Sequence, residues 1–247
     1  MGTPVHGSGT EEKELMKRKK ISNVFFGIFM IGITVQAGSA FALEETERTA
    51  DEALALLKEG NARFVAMKSE HPGENSVRRE ETAVNGQKPF AIVLGCADSR
   101  VPVEVIFDRG IGDIFTVRVA GNIAVDSSVI GSLEYAAGHL HAPLLVILGH
   151  TQCGAVGSVV SGEKLEGSLR DIQAQLEPVV KEVKLEYPDL RDRELTTEAV
   201  KRNAFQVERD LRSESEEIRD LATQGALTIV PAIYDVKTGK VDWLEEK

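Results

Sequence analysis

Apolar residues along this chain recur in two patterns, and the alternation between them predicts the architecture. Three short runs are almost continuously apolar: Phe90-Ala-Ile-Val-Leu-Gly95, Ile114-Phe-Thr-Val-Arg-Val119 and Leu144-Leu-Val-Ile-Leu-Gly149. A fourth covers residues 226–234. Strands of this length without polar alternation suit a parallel sheet covered on both faces. Pro231 inside the fourth run predicts a bulge or an edge position, because proline has no N–H to give to a ladder. Residues 236–244, with Lys237-Thr-Gly-Lys240 as turn material, read as a terminal hairpin strand.

Helical periodicity fills the intervals. Thr49 and Glu52 form a capping-box pattern ahead of Ala53, Leu54, Leu56, Leu57, Phe64 and Val65, which predicts an amphipathic helix over 50–68. Asp126 can cap a helix holding Ile130, Leu133 and Ala137. Residues 169–185 and 197–221 are long, charged and helix-periodic, with Gly225 as a stop. The polar stretch 71–86 reads as a loop. Strands alternating with helices give an α/β fold: a three-layer domain with a central, mainly parallel sheet flanked by helices. No internal repeat or linker interrupts it.

The first 42 residues follow other rules. Lys17-Arg-Lys-Lys20 precedes an apolar run from Ile21 to Val35, and Ala40-Phe-Ala42 closes the segment. Basic, apolar and A-x-A parts in that order are those of a secretory signal peptide. A run of about fifteen residues containing Gly27 and Gly32 is short for a membrane span, which needs roughly 20. The expectation is an N-terminal extension and signal peptide over 1–42, and one domain over 43–247. The product would be exported, periplasmic or secreted, with no stable membrane span after cleavage. Met16 is a more typical start for such a signal than Met1.

Charge narrows the function classes. The whole chain of 247 residues has a net charge of −10. Residues 1–42 carry five basic and three acidic side chains, so residues 43–247 stand at −12. That argues against general nucleic-acid binding, which relies on Lys and Arg neutralising phosphates. Two cysteines in all exclude a disulfide-rich scaffold.

Both cysteines stand at the ends of apolar strands. The first strand runs into Cys96-Ala-Asp98-Ser-Arg100 and the third into His150-Thr-Gln-Cys153. In a parallel sheet, functional sites form at the carboxyl ends of the strands. Neighbouring strands would bring Cys96, His150 and Cys153 to one point with Asp98 close by. Two thiolates and an imidazole favour zinc, and three protein ligands leave a fourth position for water. An Asp98–Arg100 fork would keep the carboxylate ionised and oriented. The residues alone leave other readings open. The cysteines can be core residues or a disulfide, and an Asp-x-Arg pair can be a surface ion pair.

The segments C-A-D-S-R-V-P at 96–102 and G-H-T-Q-C-G-A-V at 149–156 resemble the two signatures of the β-class carbonic anhydrases. The stretches at 107–115 and 119–123 resemble the same family. The resemblance implies reversible hydration of carbon dioxide to bicarbonate and a proton. It implies zinc on Cys96, His150 and Cys153, with Asp98 and Arg100 as a catalytic pair. Asp98 would join the metal ligands only in a closed, inactive state. Gln87, Phe115 and Tyr135 match substrate-lining positions of the plant-like branch, and Gly154 a backbone donor near the substrate. In the family these side chains reach zinc across a dimer interface, which implies a homodimer or larger homo-oligomer. The first helix, rich in apolar surface, is expected to embrace the partner. Val93 stands where the bicarbonate-regulated branch has tryptophan. A related hydrolase of carbon disulfide or carbonyl sulfide would use the same metal set. A non-catalytic dithiol or metal-binding module would not need Asp98 and Arg100.

Overall fold

The structure is a computed structural model, and it describes residues 48–124 and 126–245. The expectations for 1–42 lie outside the described residues. The apolar runs form β1 (Ala91–Gly95), β2 (Ile114–Arg118), β3 (Leu144–His150) and β4 (Thr228–Tyr234), followed by β5 (Val241–Trp243). Their order is β2-β1-β3-β4-β5, with the first four parallel and β5 antiparallel to β4. Every residue of β1 and β3 is buried, as continuous apolar runs require. Ala91, Val93, Leu144, Val146 and Leu148 face one layer, with Ala53, Leu57, Ile106 and Phe107. Ile92, Leu94, Leu145 and Ile147 face the other, with Leu133, Ala204, Val207 and Leu211. The strand period of two therefore divides the core.

Pro231 is neither on the outermost strand nor free of a partner strand. Its carbonyl accepts from Leu244 N–H at 2.9 Å, so its polar side faces β5. Without an N–H it returns no second bond, and the antiparallel ladder stops at the Ala232–Trp243 pair.

Helix α1 (Ala50–Val65) starts on the expected capping box, with both reciprocal bonds present. Ala53 and Leu57 are fully buried, and Leu54, Leu56 and Phe64 pack on the same core. Part of the apolar surface expected to embrace a partner is thus used within the chain, while Leu54, Leu56 and Phe64 stay partly buried. Helix α2 (Ser76–Asn85) occupies the stretch expected to be a loop. Asn75 accepts from Arg78 N–H to cap it and Gly86 closes it at φ +78°, yet none of its residues is buried. With no buried face it leaves no apolar periodicity in the sequence.

A single turn, α3 (Val103–Ile106), leads to Phe107, whose backbone meets α1 at Gly60. A Cβ on Gly60 would stand 1.7 Å from the Phe107 carbonyl oxygen. Gly60→Ala should therefore push α1 off the sheet and cost about 2–3 kcal/mol. The expected fall in Tm is roughly 5–10 °C, and an unchanged melting curve would show that α1 has room to spare.

Asp126 accepts from Ser128 N–H to cap α4 (Ser127–Glu134), which passes into a π-helical turn at Tyr135–His139. Then come α5 (Gly154–Ser161) and α6 (Leu169–Glu186). The helix expected over 197–221 is two helices, α7 (Asp192–Glu214) and α8 (Glu216–Thr223). The break is Ser215, buried and extended at φ −111°, ψ 113°. Its Oγ accepts from Ile218 N–H and donates to Glu134 at 2.6 Å, so one hydroxyl caps α8 and ties it to α4. Gly225, at φ +75°, ends α8 as expected.

Candidate functional site

Strand pairing builds the site. β1 and β3 are parallel neighbours, with Gly95 opposite Leu148. The chain leaving β1 delivers Cys96, β3 ends on His150, and a bend through Gln152 at φ +58° returns Cys153. One sulfur from each cysteine and a ring nitrogen of His150 lie within 4.8 Å of one another, and all three residues are buried. Tetrahedral zinc, with bonds of about 2.0–2.3 Å, holds such donors roughly 3.5–3.8 Å apart. His150 Nδ1 lies 3.0 Å from the Thr151 carbonyl, which accepts its proton. That tautomer leaves Nε2 with a lone pair. Nε2 is buried and has no hydrogen-bond partner among the described residues. A buried orphan nitrogen beside two free thiols fits a metal ligand set.

The thiols titrate as a pair. Cys96 is held down to about 4, chiefly by the hydrogen bond from the Cys153 thiol. Burial opposes this, while backbone N–H groups of Asp98 and Gly121 assist. Cys153 is pushed far up by the same bond and by burial. Each thiol thus sets the other's ionisation through their shared hydrogen bond.

Asp98 stands beside this set, its Oδ2 3.8 Å from His150 Nε2. Its carboxylate is turned onto Arg100. Oδ1 accepts from the Arg100 backbone N–H and from Nε, each at 2.9 Å, and Oδ2 accepts from Nη2 at 2.7 Å. This fork holds the Asp98 carboxyl well below the usual carboxylate range. Arg100 Nη2 also donates to the Gln152 carbonyl at 3.1 Å, linking the two metal loops.

The match to known proteins covers the same segments. The family described as carbonic anhydrase matches residues 91–241. Carbonic anhydrase 2 of Mycobacterium tuberculosis is 41% identical over 188 residues, which are 74% of this chain and 87% of that one. A Mycolicibacterium smegmatis carbonic anhydrase is 46% identical over 128 residues, 50% of this chain and 61% of that one. Among solved structures, the β-carbonic anhydrase CafA of Aspergillus fumigatus aligns with a TM-score of 0.64 at 29% identity. That alignment covers 79% of this chain and 90% of the other. The chain belongs to the β-class carbonic anhydrase family.

Of the site residues expected from the family resemblance, the carbonic anhydrase fold brings five together: Cys96, His150, Cys153, Asp98 and Arg100. Gly154 follows Cys153 as the first residue of α5, and it helps wall a cavity of about 370 Å³ with Gln152 and Cys153. Phe115 and Tyr135 meet each other, ring centroids 6.1 Å apart, and Tyr135 also stacks on His139 at 5.5 Å. Gln87 is exposed just beyond α2. Among the described residues, no hydrogen bond or ring contact ties Gln87, Phe115 or Tyr135 to the metal donors of their own chain.

Three supporting residues carry no role in the sequence reading. Gly121 N–H points at Cys96 Sγ, 3.4 Å away, from a backbone at φ +73°. Asn203, buried on α7, donates to the Gly121 carbonyl at 3.0 Å and so ties the neighbouring peptide of the same turn. Arg118 donates to two carbonyls of the first metal loop. The stretch Val119-Ala-Gly-Asn122 marks the region in sequence. What these residues do runs through main-chain groups that no residue name encodes.

Proposed function

We propose that Cys96, His150 and Cys153 hold one zinc ion per chain, and that the protein hydrates carbon dioxide reversibly to bicarbonate and a proton. The observation that carries this reading is the buried Cys-His-Cys donor set with its orphan His150 Nε2, in a chain of the carbonic anhydrase family. Zinc, when bound in such a site, brings the ionisation of water close to neutral pH. Asp98 accepts a hydrogen bond from the attacking water and sets its direction, and Arg100 keeps that carboxylate ionised and in place. Gly154, first in its helix, has an N–H without an intrahelical partner, which donates to a substrate oxygen as charge develops there.

Gln87, Phe115 and Tyr135 line the substrate pocket of a neighbouring subunit in a homodimer or larger assembly. Among the described residues they make no hydrogen bond or ring contact with the metal donors of their own chain, which supports this. So does the open edge of the sheet at β2, flanked by exposed Val105, Ile111 and Tyr135. A Sordaria macrospora structure of the same fold, 23% identical with a TM-score of 0.64 over 75% of this chain and 93% of that one, is described as a tetrameric β-carbonic anhydrase. The glutamine and paired aromatics, with Val93 in place of tryptophan, favour the plant-like branch. Residues 1–42 act as an export signal, so the enzyme works in the periplasm or outside the cell.

Stopped-flow CO2 hydration by the purified protein, with metal analysis and light scattering, tests the reading. The expected result is about one zinc per chain, turnover abolished by a chelator and restored by zinc, and a particle of two or more chains. Turnover of carbon disulfide or carbonyl sulfide without CO2 hydration would reassign the substrate. An active monomer would remove Gln87, Phe115 and Tyr135 from the pocket.

A further inference from the structure

Arg118 closes β2, one of the two edge strands of the sheet. Among the described residues it has no carboxylate partner. Its guanidinium instead grips two main-chain carbonyls of the first metal loop: Nε donates to Cys96 O at 2.9 Å and Nη2 to Asp98 O at 2.5 Å. Hydrogen bonds from a charged donor are about twice as strong as neutral ones. Two of them, on carbonyls either side of Ala97, fix the short path between Cys96 and the Asp98 carboxylate.

We infer that Arg118 is a positioning residue for the reaction, acting through Asp98. The inference rests on the CO2-hydration reading above. Arg100 alone cannot decide where Asp98 sits, because it belongs to the same loop two residues on. Its tie beyond that loop is the Gln152 carbonyl, which lies on the other metal loop. Arg118 is anchored in the sheet, next to the ladder that continues through Val119 N–H to Gly95 O and Ala97 N–H to Val119 O. The Asp98 carbonyl also accepts from Val101 N–H at 3.0 Å, so Arg118 and Val101 clamp it from two directions. A main chain held at these points gives the Arg100-bound carboxylate one location relative to His150. An error of about 1 Å in such a group costs on the order of 100-fold in rate.

Arg118→Ala, Arg118→Lys and the double variant Asp98→Asn/Arg118→Ala test this. Arg118→Ala should keep about one zinc per chain and lose roughly ten- to hundredfold in kcat with KM little changed. Lysine reaches one carbonyl and not both, so Arg118→Lys should fall between. Millimolar guanidinium should restore part of the alanine variant's rate, since the site of the lost group is exposed. In the Asp98→Asn background, Arg118→Ala should add less than twofold. Hydrogen exchange supplies a readout that needs no turnover: the amides of Ala97, Arg100 and Val101 should exchange at least tenfold faster in Arg118→Ala, with the rest of the sheet unchanged. A wild-type rate in Arg118→Ala, full additivity with Asp98→Asn, zinc lost in step with activity, or unaltered exchange in the loop would each overturn the assignment. A wild-type protein that does not hydrate CO2 would defeat the functional reading instead, and the exchange measurement would still judge the clamp.

Discussion

Serine in place of Cys153 should remove the metal and CO2 hydration together. A serine hydroxyl does not ionise near neutral pH and is a hard donor, so the site keeps one thiolate and one imidazole. Two donors hold zinc poorly, and Cys153 is only 2% exposed, leaving little room for water to replace the sulfur. Affinity should fall by more than the roughly 10–100-fold typical of altering an outer-shell partner. Zinc content after gel filtration and stopped-flow rates on the same sample check this, and a metal-free variant with full activity would reject the site. Acid should mimic the substitution. Zinc is held by thiolates, so binding must expel any proton on Cys96 or Cys153, and burial with the Cys96 hydrogen bond pushes the Cys153 thiol up. Protons therefore compete with zinc, and occupancy falls as pH falls.

Arg100→Ala should have the opposite signature, with zinc retained and most activity gone. The substitution removes the guanidinium that takes both Asp98 oxygens. The freed carboxylate lies 3.8 Å from His150 Nε2, close enough to turn onto the metal and take the position that water needs. Asp98→Asn/Arg100→Ala removes the blocking charge without restoring the acceptor, so both variants should be folded, zinc-loaded and slower by about 100-fold or more. Arg100 depresses the Asp98 pKa, so this carboxylate stays ionised from neutrality down through the usual carboxylate range. The pair's contribution is present above the ordinary carboxylate pKa and is lost only as pH falls through the lower folded value. The acid limb of the wild-type profile therefore reports the metal site and not Asp98. An Arg100→Ala enzyme with near-normal turnover would reduce the fork to a structural ion pair.

The parts of the molecule legible in its sequence are those where burial and chemistry coincide with residue type. β1 and β3 are covered on both faces and so appear as unbroken apolar runs, and a cysteine or histidine at the end of each needs no further clue. The capping box of α1 is a local exchange between Thr49 and Glu52, so it too is written in residue identities. Helix α2 buries nothing and depends on Asn75 and Gly86 at its ends, which a polar stretch does not distinguish from a loop. The break at Ser215 is invisible because the charged, helix-like pattern continues across it. What bends the chain there is a hydroxyl with a distant partner, Glu134. Arg118 and Asn203 escape for a related reason: each acts on a carbonyl oxygen, and every residue has one.

The placement of Cys96 just after β1, of His150 at the end of β3 and of Cys153 beyond it also bears on how the site is assembled. Between the two strands the chain runs out through β2 and α4 before it returns. The unfolded chain therefore has no compact three-donor chelate, only His150 and Cys153 near each other. The third donor is brought in by the pairing of β1 and β3 in register, a non-local contact in a parallel sheet. A metal ion that needs all three donors would thus bind the folded sheet in preference to the open chain, and would add to the lifetime of the native state more than to the rate of reaching it.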